Sequence, residues 1–271
     1  MMSYKKIHFL YEEEKRDNFK FAKSLIKKLG QSDIKDADVI VTIGGDGLLM
    51  QALREANGTP VYGIKPPKSN SRGFWTDHDV VNAQILENKL SEIEEVTLYP
   101  IKAEIHYTNK RKVIKHAFND VAVERASGQA VILNLTAQFA KYKDGPYRFM
   151  GDGLNFSTAM GSTGTNRSYG GPAVDIHKNV LILTGKGIYD PQGVAPIVMD
   201  AGKTKFHIDF ASVAHKRPVR IDYDGYSIGA DQDGSPINGL TISVDHEQPA
   251  KLLVSNEPGL RAFSAMKPNK I

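Results

Sequence analysis

From Asp38 to Met50 the chain runs Asp-Val-Ile-Val-Thr-Ile-Gly-Gly-Asp-Gly-Leu-Leu-Met, and this stretch constrains the fold more than any other. Its first half is almost wholly apolar and β-branched, as expected of a strand buried on both faces. The run then breaks into three glycines around one carboxylate, and a helical pattern resumes at once. A strand that ends in a glycine turn and feeds a helix aims backbone N–H groups and a helix N-terminus at an anion. Asp46 therefore puts a negative charge where phosphate would otherwise bind. Such a carboxylate can accept a proton from a hydroxyl lying beside bound phosphates. The plainer alternative is a strand–helix turn in which Asp46 caps the helix and the glycines supply positive φ. One cap does not need three glycines, so the functional alternative is favoured.

Read in order, the first hundred residues alternate strand and helix. Lys6–Leu10 reads as a strand. Phe19, Ala22, Leu25, Ile26 and Leu29 recur at helical spacing, with Gly30 as the stop. After the glycine turn a helix runs to Ala56, closed by Asn57-Gly58, and Pro60–Ile64 is a third strand. A long turn, Pro66–Phe74, leads to a helix expected over 79–90. This alternation implies βαβ units and a parallel sheet, with ligands outside the carboxyl ends of the strands. Past Val96 the pattern changes. Residues 97–108 alternate, and Asn109-Lys110, Asp144-Gly145, Asp224-Gly225, Asp233-Gly234 and Asn238-Gly239 read as turns between short strands. The expected fold class is thus an α/β N-terminal domain, a parallel sheet flanked by helices, over 1–96. A β-rich, sandwich-like C-terminal domain of antiparallel sheets follows over 97–255, and the basic tail, 256–271, packs back on the first.

A second glycine-rich stretch, Gly151–Pro172, is crowded with small hydroxyl residues and suits a loop and helix start wrapped around a polar ligand such as a nucleotide. Leu154, Phe156 and Met160 at strand-like spacing argue against a mere linker. A helix is expected near Ser162–Gly170. Asn119-Asp120 is a polar pair inside an otherwise apolar strand, more often a turn or bulge, but here a plausible ligand contact. Several chemistries are disfavoured. Gly202-Lys203-Thr204 lacks the leading glycine of a P-loop, since Ile197 stands there, and no Gly-x-Gly-x-x-Gly follows a strand. There is no Gly-x-Ser-x-Gly elbow, and the eight histidines show no metal-ligand spacing. The absence of cysteine removes disulfides and thiolate chemistry and suits a reducing cytoplasm. No apolar run is long enough to span a membrane. A net charge of +4 is spread along the chain, so Lys110-Arg111-Lys112 reads as solvated hairpin charges rather than a nucleic-acid patch.

Gly44-Gly45-Asp46-Gly47 after a buried strand, then Gly73-Phe74, then Asn119-Asp120, then Asp152-Gly153 leading to Ser157-Thr158 and Gly161-Ser162-Thr163, then Asp224, resemble in this order the NAD kinase family. The resemblance runs from Lys6 to about Gly229. The glycine turn alone is shared with lipid and sugar kinases; the combination is specific. What the resemblance implies is phosphorylation of the adenosine-ribose 2′-hydroxyl of NAD to give NADP, with ATP or another phosphoryl donor. Mg²⁺ or another divalent cation would be bound mainly through donor phosphates, with no protein-only metal site. By the same resemblance Asp46 is the general base or hydroxyl-orienting group, and Gly44, Gly45 and Gly47 receive the phosphates. Asn119 and Asp120 hold ribose hydroxyls, Phe74 packs against adenine and Thr163 hydrogen-bonds it. Ser157, Gly164, Asp152 and Asp224 complete the NAD site in the β-rich domain. A homodimer or homotetramer is implied, with neither nucleic acid nor membrane as partner. The sequence departs from the family pattern where proline, a hydroxyl residue and Ala-Tyr give way to Ala159, Met160 and Gly164-Thr165. Two other readings share the same motifs: an NAD(P)-binding sensor with weak turnover, and a lipid or small-alcohol kinase.

Overall fold

The computed structural model describes residues 4–67, 74–210 and 215–255. In chain order the elements begin with β1 (Ile7–Tyr11), α1 (Arg16–Leu29), β2 (Val39–Ile43), α2 (Asp46–Glu55), β3 (Val61–Ile64), α3 (Ala83–Glu92) and β4 (Glu94–Leu98). There follow β5 (Ile101–Tyr107), β6 (Lys112–Ala117), β7 (Asp120–Arg125), β8 (Val131–Phe139), β9 (Tyr142–Gly151) and β10 (Gly153–Ser157). Then come α4 (Thr165–Ser168), β11 (Val180–Lys186), β12 (Ile197–Asp200), β13 (Thr204–Asp209), β14 (Val219–Tyr223), β15 (Tyr226–Ile228), β16 (Ile237–Val244) and β17 (Ala250–Val254).

Two compact units result; among the described residues one holds 4–98 with 249–255 and the other 99–248. The first is built on a five-stranded sheet in the order β1-β2-β3-β17-β4. Strands β1, β2, β3 and β17 run parallel, and β4 closes the edge antiparallel to β17. All five residues of β2 are fully buried, as a strand covered on both faces must be. The helices turn their apolar stripes inward: Ala22 and Leu25 of α1, Leu49, Met50 and Leu53 of α2, and Leu86 and Leu90 of α3 are buried. Gly30 ends α1 at φ 81°, a left-handed backbone that glycine adopts without penalty, and its N–H returns to Ile26 O at 2.8 Å.

The second unit packs two six-stranded antiparallel sheets, β12-β11-β10-β7-β14-β15 and β6-β5-β16-β13-β8-β9. Alternate residues of both sheets share one core, including Ile101, Ala103 and Ile105 of β5, Val121 and Val123 of β7, and Leu154 and Phe156 of β10. Phe156 meets Phe206 of β13 at 5.2 Å between ring centroids. The unit is therefore a sandwich, and its alternation leaves the other face of β7 and β10 for polar residues.

Several sequence expectations shift. Residues 249–255, read with the second domain, supply β17, which pairs between β3 and β4 in the first sheet. Asp144-Gly145 and Asn238-Gly239 are not chain reversals but lie inside β9 and β16, where the pairing register shifts. A bulge draws on the same glycine-rich chemistry as a turn; the β8–β9 reversal falls at Ala140, φ 51°. The third helix begins at Ala83 rather than 79, because Asn82 caps it by accepting from Ile85 N at 3.0 Å. The helix expected near 162–170 is one 3₁₀ turn, Met160–Thr163, and the single turn α4, separated by Gly164. Gly73 and the tail 256–271 lie outside the described residues.

Candidate active site

In the first unit the parallel strands β2 and β3 end together, and Gly44 N donates to Ile64 O at 2.9 Å. The turn that follows opens α2 directly, with Gly45 as N-cap and Asp46 as the first helical residue. None of Gly44, Gly45 and Gly47 has positive φ, and no side chain caps the helix, so neither the capping role for Asp46 nor the positive-φ role for the glycines holds. A Cβ on Gly47 would meet open space, so nothing in the fold demands glycine there. What the glycines leave is bare backbone at a helix N-terminus, the arrangement that receives phosphate. The Asp46 carboxylate is turned toward Phe74 and Trp75. Its Oδ2 accepts from Phe74 N at 2.6 Å and its Oδ1 from Trp75 N at 3.1 Å. Each oxygen keeps a further lone pair for an incoming hydroxyl. Lys65, immediately after β3, is fully covered, with Nζ 3.2 Å from His78 Nε2. Burial pulls its pKa down, and the Asp46 carboxylate opposes that shift.

In the second unit Asn119-Asp120 opens β7, and the backbone there is clamped from two sides. Asp224, at φ 44° in the β14–β15 turn, accepts from Phe118 N and Asn119 N, both at 2.8 Å. Asn119 O accepts from Thr158 N at 3.0 Å and from Ser157 Oγ at 3.2 Å, while Thr158 Oγ1 donates to Phe118 O. Gly161 passes so close that a Cβ would lie 2.1 Å from Asn119 O, so only glycine fits. Asn119 Oδ1 is buried with no hydrogen-bond partner, which leaves an acceptor for a ligand group. The Asp120 carboxyl is pushed up to about 6, first by burial and then by the neighbouring Asp224 carboxylate. The Thr165 hydroxyl bonded to it and the Lys186 ammonium act the other way.

The residues picked out by sequence thus form two groups, one in each unit. Gly44, Gly45, Asp46, Gly47 and Phe74 stand at the turn of the first. Asn119, Asp120, Ser157 and Asp224 meet in the second, with Thr163 and Gly164 on the short segment that follows β10. Asp152 stands farther along the same sheet, paired with Arg125 at 2.8 Å on a groove of about 530 Å³. Glu124 and Arg220 line both that groove and a second of about 460 Å³ that holds Asp120 and Thr165. Glu124 is ion-paired to Lys186 and, at 2.6 Å, to Arg220. Glu124, Lys186, Arg220 and Lys65 were not singled out from sequence, and Thr165 was noted only as a departure from the family pattern. The two-residue spacing of Asp120, Ala122 and Glu124 was the signal that placed Glu124 on the Asp120 face.

No family model matches the chain. An NAD kinase of Xylella fastidiosa (strain 9a5c) is 30% identical over 247 residues, 89% of this chain and 88% of the relative. The crystal structure of yeast NADH kinase complexed with NADH superposes with a TM-score of 0.78 at 14% identity, covering 98% of this chain and 88% of that one. An NAD kinase from Archaeoglobus fulgidus in complex with ATP gives a TM-score of 0.68 at 20% identity, covering 96% and 98%. The two structures share the fold: an α/β domain followed by a β-rich one.

Proposed function

The chain belongs to the NAD kinase family, and from that premise we propose that it transfers the γ-phosphoryl group of ATP to the adenosine-ribose 2′-hydroxyl of NAD, giving NADP and ADP. The observation that carries this assignment is the Asp46 carboxylate, held by two backbone N–H groups at a bare glycine turn that opens a helix. Phosphoryl transfer needs placement and charge neutralisation more than covalent chemistry. Gly44, Gly45 and Gly47 receive donor phosphates on the α2 N-terminus. Asp46 orients the acceptor hydroxyl and takes its proton as the oxygen–phosphorus bond forms. Asn119 and Asp120 hold ribose hydroxyls; the unpartnered Asn119 Oδ1 supports that role. Phe74 and Thr163 contact adenine, and Ser157, Gly164 and Asp152 complete the NAD site. Asp224 acts by clamping the backbone of Phe118 and Asn119.

A divalent cation, Mg²⁺ in the simplest case, neutralises donor charge when bound. Such an ion would be carried mainly on the donor phosphates. A homodimer or homotetramer working in the cytoplasm completes the proposal; the cysteine-free composition suits that compartment. The test is NADP formation from NAD, ATP and Mg²⁺ by purified protein. The proposal expects NADP with phosphate at the 2′ position, read by ³¹P NMR. Saturable NAD binding with no NADP would overturn it in favour of a sensor.

A further inference from the structure

A carboxylate is rarely buried unless other groups hold its charge, and Asp77 is only 5% exposed. Its Oδ2 accepts from the Tyr62 hydroxyl and from Ser255 Oγ. Lys89 Nζ lies 3.5 Å from the same oxygen, 3.3 Å from Ser255 Oγ and 2.9 Å from Asp79 Oδ2. Burial first, and then the Asp77 carboxylate, push the Tyr62 phenol up, so it remains a donor. The backbone of Asp77 is held as well. Asp77 N donates to Gly63 O and Lys65 N donates to Asp77 O, both at 2.8 Å, which bridges the residue to the end of β3. Thr76 is pressed on the same strand, where a Cβ on Gly63 would lie 2.8 Å from Thr76 Cγ2. Asp77 is thereby tied to β3 through Tyr62 and Gly63, to α3 through Lys89, and to Ser255 just after β17.

The anchor matters because of where it falls in the chain. Asp77 closely follows Phe74 and Trp75, whose N–H groups hold the Asp46 carboxylate at 2.6 and 3.1 Å. So short a tether of planar peptides passes a displacement at Asp77 on to both donors. We propose that Asp77 is a positioning residue of the phosphoryl transfer. By fixing the Phe74–Asp77 segment on β3, it sets the two N–H groups that aim the Asp46 carboxylate at the acceptor hydroxyl. This rests on the NAD kinase assignment and on the role of Asp46, and adds a residue that acts through Asp46. A base must meet its hydroxyl at hydrogen-bond distance, and a displacement of about 1 Å costs about 10²-fold in rate. An anchor that served stability alone would lower turnover by the same factor whether or not the Asp46 carboxylate were present.

The experiment is a double-mutant cycle on NADP formation with Asp77→Asn, Asp46→Asn and the pair, with thermal melts alongside. Asn at 77 keeps an acceptor for Tyr62 and Ser255 but removes the charge that faces Lys89. The expected result is a kcat lower by about 10–100-fold, with KM for ATP and for NAD each within about threefold of wild type. In the Asp46→Asn background the same substitution changes kcat by less than about threefold, because the carboxylate it positions is gone. Tyr62→Phe, which deletes one donor to Asp77, is the second probe and loses about tenfold in kcat on the same pattern. A kcat within about threefold of wild type in whichever of the two variants folds overturns the proposal. So does an equal loss in both backgrounds, which is what general destabilisation gives. Absence of NADP with the wild type, or undiminished turnover in Asp46→Asn, is read with Asp77 intact. Either would overturn the reading on which the proposal rests, and the proposal with it.

Discussion

At the scale of single residues, Gly47 and Asp120 carry opposite kinds of information. Gly47 is exposed, has no positive φ and borders open space, so no structural need selects glycine in the first turn of α2. Gly47→Ala is expected to hold or raise stability, by up to about 1 kcal/mol because alanine favours helix. It is also expected to raise KM for ATP about tenfold, the cost of one methyl in the path of a phosphate. Thermal melts and initial rates check both; unchanged donor kinetics would remove Gly47 from the phosphate site. Asp120 is a strained group by comparison. Burial first, and then the neighbouring Asp224 carboxylate, push its carboxyl up to about 6 in the folded chain, above the ordinary range of an aspartate. The folded chain therefore binds that proton more tightly than the unfolded chain does, and the stability it lends below pH 4 is lost as pH rises to about 6. Asp120→Asn is expected to melt higher than wild type at pH 7.5 and about equally at pH 4, while its KM for NAD rises. Melting curves that differ equally at both pH values would refute the account of Asp120.

At the scale of elements, the start of β7 depends on the turn between β14 and β15. Asp224→Ala leaves Phe118 N and Asn119 N without their acceptor. The expected loss is about 2 kcal/mol of stability, with KM for NAD raised by a displaced Asn119. Denaturant unfolding and NAD titration measure the two effects, and a stable variant with wild-type KM would contradict the clamp. The elements of the first unit were largely legible in sequence because local signals and tertiary need agree there. The β-branched run of β2 is buried throughout, and the stripe of α1 ends at Gly30. Where they disagreed the sequence misled. Asp144-Gly145 and Asn238-Gly239 carry turn chemistry but sit at register shifts within strands. Thr165 looked like the loss of an aromatic, whereas its hydroxyl bonds to Asp120; only the folded segment brings them together.

At the scale of the whole chain, the order of motifs revealed the family, because a phosphate turn, a polar strand start and a hydroxyl-rich loop rarely occur in that succession by chance. What the order did not reveal is long-range pairing. Strand β17 completes the first sheet by lying parallel to β3, although α3, β4 and the whole of the second unit come between them in the chain. No local pattern encodes that partner. Lys65 was hidden for a related reason: a lysine after a strand reads as an exposed charge until the fold covers it. Among the described residues no helix is long and apolar enough to cross a membrane. The central claim is that Asp46 performs proton transfer within a NAD kinase. It is tested most directly by Asp46→Asn, which keeps shape and hydrogen-bonding capacity but removes the base. The account predicts a kcat lower by about 10²–10⁴-fold, with the dissociation constant for NAD within about threefold of wild type. Undiminished turnover in a folded Asp46→Asn variant would contradict it.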